Sequence, residues 1–225
     1  MSTNWKCSEA DFLANVKDHQ MTILADDGIY RHIRFAQPGT RNRQFDLVTW
    51  PGYLSYSGDM GDYTFSRLRD MFQFFRTDSG HLNPGTTLGI NLGYWAEKVQ
   101  SVDKRHSVHC FDSERFEEVI REQRLEWIKE AAREQLLDKD ERRELWEAIE
   151  DEVLDRAHDS EQEAISAACD FGHGAGGRTY SFDDFWEHNL NAFAGHYVWC
   201  CYAIAWGIAM YDAAKAPAGT GGDGI

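Results

Sequence analysis

Through its first third the chain is cut into short pieces, and the gaps between them decide the topology. Met21 to Leu24 and Ile29 to Phe35 are apolar or β-branched runs, divided by Ala25-Asp26-Asp27-Gly28. The Asp-Gly pair there supplies the positive φ that a tight turn needs. Phe45 to Trp50, Tyr53 to Ser57 and Tyr63 to Phe65 follow, separated by Pro51-Gly52 and by Gly58-Asp59-Met60-Gly61. Gaps of two to nine residues are too short for the crossover that joins parallel strands. Each run must therefore turn back beside its predecessor, and the spacing predicts an antiparallel β-meander of four to five strands.

After Phe65 the period changes from two to about 3.6. Ser66 is placed to cap a segment with Leu68, Met71, Phe72 and Phe75 on one face. Phe116, Val119, Ile120, Trp127 and Ala131 form an apolar stripe over about six helical turns. Asp138 with Glu141 reads as a capping box ahead of Leu145, Trp146, Ile149 and Val153, and Asp159 with Gln162 starts a shorter helix. Ser181 with Asp184 resembles another cap, leading into an aromatic C-terminal helix, while His81 to Gly93 and the glycine-rich Phe171 to Arg178 read as loops. The expectation is an α+β fold, an N-terminal meander packed against C-terminal helices. With no repeat and no break in composition, residues 1–215 are expected to form a single domain and 216–225 a flexible Gly-rich tail. One core is expected to bury most of Trp50, Phe65, Phe72, Trp127, Trp146, Trp199 and Trp206.

Composition narrows the setting. Five cysteines, Cys7, Cys110, Cys169, Cys200 and Cys201, show no CxxC spacing, which suits a reducing, cytoplasmic compartment. Met1 to Val16 has no apolar block of the signal-peptide kind. Asn189 to Tyr211 carries no formal charge, but its two Asn, His196, glycines and alanines suit a buried helix better than a membrane span. A net charge of −15 opposes direct nucleic-acid binding, which needs Lys and Arg to displace condensed counterions.

The excess acid is concentrated. Asp112 to Asp170 holds 21 Asp and Glu against nine Lys and Arg. Glu118, Glu122, Glu126, Glu130 and Glu134 recur every fourth residue, a carboxylate about every 6 Å along a helix axis. The ordinary reading is a solvated face, with Arg121, Lys129 and Arg133 offsetting part of the repulsion. The functional reading is an anionic surface that competes for a nucleic-acid groove. A row of i+4 positions turns by about 40° per step, so these five wind around the helix instead of forming one flat face.

Other candidate chemistry is thinner. Asp59 and Asp62 in the Gly58–Asp62 turn, with His106, His109 and Cys110, offer ligands for a metal-dependent hydrolase of nucleotides or nucleic acid. The partnering DxH and GNH elements of metallophosphatases are absent, and a tight turn explains the glycines more simply. The glycine-rich Gly172–Gly177 segment lacks the GK[ST] ending of a phosphate-binding loop. No acid/base pair or nucleophile can be assigned, and no cofactor is implied.

Phe45-Asp46-Leu47-Val48-Thr49-Trp50-Pro51-Gly52, Gly58-Asp59-Met60-Gly61 leading to Phe65-Ser66-Arg67, Asp70-Met71-Phe72-Gln73-Phe74-Phe75, and the later Trp199-Cys200-Cys201-Tyr202-Ala203-Ile204 and Tyr211-Asp212 carry a resemblance. Over about residues 15 to 214 the chain resembles a family of hypothetical proteins encoded by tailed bacteriophages and prophages. The resemblance carries over no catalytic residue. It implies an accessory protein that acts by stoichiometric binding on a host restriction, CRISPR or recombination complex. The expected partner is a host protein complex with a basic surface in the bacterial cytoplasm, with no membrane involved.

Overall fold

The computed structural model describes residues 5–77, 87–158 and 160–216. These fall into two compact units. A sheet unit comprises the described residues of 5–109 and 193–216, and a helical unit those of Cys110–Ala192.

The sheet unit opens with α1 (Glu9–Val16), capped reciprocally by Ser8 and Asp11. Six strands follow in chain order: β1 (Gln20–Asp27), β2 (Tyr30–Ala36), β3 (Phe45–Trp50), β4 (Tyr53–Gly58), β5 (Gly61–Ser66) and β6 (Val99–Val102). Every neighbouring pair is antiparallel, so the predicted meander is present. Its sixth strand, β6, lies 33 residues after β5 and is reached through α2 (Met71–Thr77) and α3 (Leu92–Ala96). Too short to show alternation, Val99–Val102 was invisible to the periodicity argument. The first turn is also tighter than expected. A bulge between Ile23 and Ala25 extends β1 through Asp27, leaving Gly28 (φ +61°) and Ile29 to make the turn.

Alternation along the strands divides the sheet into two faces. Ile33, Phe35, Phe45, Leu47, Leu54, Tyr56, Tyr63 and Phe65 are fully buried, while Arg34, Asp46, Val48, Ser55, Ser57, Asp62 and Thr64 on the other face remain partly or fully open. The buried face is covered by α7 (Gly195–Lys215), with Phe12 of α1 and Phe72 of α2 against it. Trp199 stands edge-on to Phe45 (5.7 Å between ring centroids) and to Phe12 (5.1 Å), and Phe72 edge-on to Tyr211 (5.4 Å). At the far end of α7 the Arg31 guanidinium makes a bidentate pair with Asp70 (2.9 and 3.0 Å), and Tyr211 Oη donates to Asp26 (2.9 Å).

Three local expectations change. Ser66 ends β5, and the helix start falls to Asp70, whose carboxylate accepts from Phe72 N (3.0 Å); Leu68 is left exposed. Trp50 lies on the open face of the sheet, 36% exposed, because strand alternation puts Leu47 and Thr49 inward. The aromatic C-terminal helix begins only at Gly195, since Asn191–Phe193 is a strand and Asp184 has a left-handed backbone without a side-chain cap.

In the helical unit, α4 (Ser113–Glu134) runs the expected six turns, ending on Gln135 at φ +55°. The Asp138–Glu141 capping box starts α5 (Lys139–Glu152). A short 3-10 turn, Leu154–His158, leads to α6 (Glu161–Asp170), whose cap is Ser160, bonded to Glu163. The glycine-rich stretch is a hairpin, not a loop: β8 (His173–Ala175) pairs with β9 (Arg178–Tyr180) across Gly176 and Gly177, both at positive φ. A Cβ on Gly176 would stand 2.4 Å from Leu136 O, so only glycine lets the hairpin approach the end of α4. The strands β7 (His109–Phe111) and β10 (Asn191–Phe193) pair with each other where the chain leaves and re-enters the sheet unit.

Two clusters of buried apolar residues stand where one core was expected. One holds the sheet residues with α1, α2 and α7; the other holds Phe116, Ile120, Trp127, Leu145, Ile149, Tyr180, Phe182 and Phe185. The expected tail, 216–225, lies outside the described residues apart from Ala216. Among the described residues no helix is long and apolar enough to cross a membrane.

Candidate functional site

The division into units sharpens the charge imbalance. The helical unit carries 24 Asp and Glu against 10 Lys and Arg, a net of −14; the rest of the chain carries 14 against 13, a net of −1. Nearly all of the negative potential therefore belongs to one body.

Within it, the five expected glutamates are exposed, but each has a cation close by. Arg115 lies 3.1 Å from Glu118 and 3.6 Å from Glu122, and Lys129 is 2.6 Å from Glu126. Arg178, on β9, reaches Glu130 (2.9 Å) and Glu134 (4.0 Å) while stacking over Tyr180. Three cations thus serve five carboxylates. The hairpin that sequence reading took for a connector delivers one of them, a contact no local spacing could reveal.

A straighter acidic stripe runs along α5. Asp140, Glu144, Glu147 and Asp151 are all exposed and repeat at four, three and four residues. That alternation keeps them within about 60° of one another around the axis, where the α4 row spreads over about 160°. Arg143 bridges it, 3.5 Å from both Asp140 and Glu147. The 4-3-4 spacing was present in the sequence and was masked by the more regular glutamates of α4.

The residues considered as metal ligands do not converge. Asp59 accepts from Arg43 N (2.9 Å), and Asp62 accepts from Ser57 Oγ across the open face of the sheet. His109 stacks on Phe193 (5.0 Å). Cys110 belongs to the helical unit, and burial, then Asp112, pushes its thiol up, away from the thiolate that a metal binds. Among the described residues no group of three or more His, Cys, Asp or Glu is placed to hold a metal ion.

His106 has a different partner, one that sequence reading missed. Asp103 Oδ2 sits 2.7 Å from His106 Nδ1 and accepts from Asp62 N (3.1 Å), and Asp103 Oδ1 accepts from Arg105 N (2.7 Å). Burial works to raise the Asp103 carboxyl, but these bonds outweigh it and hold it at about 2. The His106 ring lies 4.5 Å from that of His196 in the first turn of α7, and His196 is edge-on to Trp5 at 5.5 Å. Burial first, and His106 second, depress the His196 imidazole below its ordinary value. Gly61 (φ +109°) lies close against the Asp103–His106 pair, where a Cβ would stand 3.1 Å from His106 Nδ1 and 3.2 Å from Asp103 Oδ2. The D-x-x-H spacing of Asp103 and His106 was the available signal. The cluster joins the β5–β6 edge to the start of α7.

Comparison with family models, with curated proteins and with solved structures gives no match.

Proposed function

We propose that the protein works by stoichiometric contact with a basic protein surface, presented to it by the helical unit. The observation that carries this reading is the segregation of charge, −14 in one compact unit and −1 in the rest. An anionic body of this kind repels nucleic acid and is steered toward surfaces that are themselves built to hold it. Exposed carboxylates on α4 and α5 supply the potential, and the paired cations Arg115, Arg143 and Arg178 fix some of them in place. The resemblance to proteins of tailed phages supports reading such contact as inhibition of a bacterial defence or nucleic-acid-handling complex.

The test is capture of host proteins from bacterial extract on immobilised protein, over a salt series and with duplex DNA as competitor. The expected result is a retained complex released steeply between about 50 and 500 mM salt, as exposed charges become screened, and displaced by DNA. Retention insensitive to both salt and DNA would contradict the proposal.

A further inference from the structure

Among the described residues Trp186 is the most exposed of the large apolar side chains, at 66%, and its neighbours explain why it stays there. Phe182 and Phe185, on the same loop, are buried. Phe182 packs against Trp127 (4.8 Å) and Phe171 (5.4 Å), and Phe185 stands edge-on to Phe116 (5.5 Å). Asp184 between them takes φ 53°, ψ 30°, a left-handed conformation that few residues other than glycine, Asn and Asp adopt readily. Glu187 N and His188 N then donate to Asp184 O (2.9 Å) and Phe185 O (3.2 Å), closing a 3-10 turn over Phe185–Glu187. Beyond it the chain is tied down again by Asp112 N donating to Leu190 O (2.8 Å). The turn is anchored on both sides, so the indole is presented outward as a fixed feature.

Its chain neighbours Asp183, Asp184 and Glu187 are exposed as well. Asp183 accepts from Ser181 Oγ (3.0 Å); Asp184 and Glu187 have no ion-pair partner among the described residues. An exposed indole with exposed carboxylates at adjoining chain positions suits a guanidinium above other cations. The ring quadrupole attracts the flat charge, carboxylates accept its N–H groups in pairs, and guanidinium sheds water more readily than ammonium does. We propose that Trp186, with Asp183, Asp184 and Glu187, is an arginine-reading anchor through which the helical unit engages an arginine-bearing segment of its partner. This rests on the reading of that unit as a surface for basic proteins, and adds which side chain is read.

Two peptides of equal length and charge, nona-arginine and nona-lysine, are titrated into the full chain at low salt. The wild type should bind nona-arginine about two- to fivefold more tightly, the range an exposed cation–π contact supplies, and bound nona-arginine should shield an indole from acrylamide quenching. Trp186→Ala should abolish both the preference and the added shielding, leave nona-lysine affinity unchanged, and melt with the wild type. Equal affinities in the wild type, or a preference that survives Trp186→Ala, would overturn the arginine anchor while leaving the basic-partner reading intact. Failure of both peptides to bind would overturn both readings.

Discussion

The sheet unit and the helical unit bury apolar residues by comparable means and then finish their surfaces in opposite ways. In the sheet unit large rings fill the space under the strands; Phe45 alone meets Phe35, Tyr56 and Trp199 within 6 Å. Its charges nearly cancel, and its bidentate pair of Arg31 with Asp70 is partly buried at the end of α7. In the helical unit a narrower core of Phe116, Ile120, Trp127, Leu145 and Ile149 supports a surface whose carboxylates outnumber its cations by more than two to one. Self-repulsion of that kind destabilises a compact state, and it falls on one body and not on the other. The difference teaches that the two units answer to different variables: the sheet unit to packing, the helical unit to charge and salt.

The largest effect that can break this contrast comes from the core of the sheet. Phe45→Ala removes a fully buried ring, and such truncations cost about 3–5 kcal/mol. Hydrogen exchange followed by peptide mass spectrometry should show faster exchange through β2–β5 and α7, with the peptides of α4 and α5 unchanged. Equal acceleration in both units would mean that they unfold as one, and the contrast would lose its physical basis.

A smaller effect comes from pH, again confined to the sheet unit. The folded His196 holds a proton less readily than the unfolded chain does, because it is buried beside His106. Its contribution is therefore fully present above about pH 6.5 and is lost as the pH falls through the lower folded value. Asp103, held at about 2, stays ionised throughout that range and gives up its contribution only as the pH falls from about 4 to about 2. His106 and Asp103 are the titratable groups that act on His196, while Asp62 and Arg105 reach Asp103 through their backbone N–H groups. Between pH 7 and 5 the peptides containing Trp5, Asp103–Ser107 and the start of α7 should exchange faster, and His196→Phe should flatten that response. A pH response located in the helical unit would contradict the assignment.

How far these features can be read from sequence depends on the range of the interactions that make them. The meander follows from short gaps between strands, and the α5 start from a capping box; both are local and both were legible. β6 was not, because four residues carry no period and their pairing depends on Phe65 and Tyr63, far back in the chain. Trp50 illustrates a related limit: its hydrophobicity suggests burial, but its register on β3 turns it to the open face. The candidate site divides the same way. The acidic rows of α4 and α5 can be counted along a helix, whereas the Arg178 contacts to Glu130 and Glu134, and the His106–His196 approach, join segments separated by tens of residues.

The central claim, that the helical unit carries the working surface, is tested most directly by setting one variant of each unit against the wild type in the same host-protein capture. Glu118, Glu122 and Glu126, all exposed on α4, are changed together to Lys; Trp50 and Tyr53, stacked on the open face of the sheet at 5.3 Å, are changed together to Ser. Exposed substitutions shift stability by about 0.5 kcal/mol or less each, so a melting curve for each variant confirms that both remain folded. The account predicts that the charge-reversed protein loses its partner and that the sheet-face variant keeps it, with the same salt dependence as the wild type. Undiminished capture by the charge-reversed protein, with loss in the sheet-face variant, would contradict it and move the working surface to the sheet.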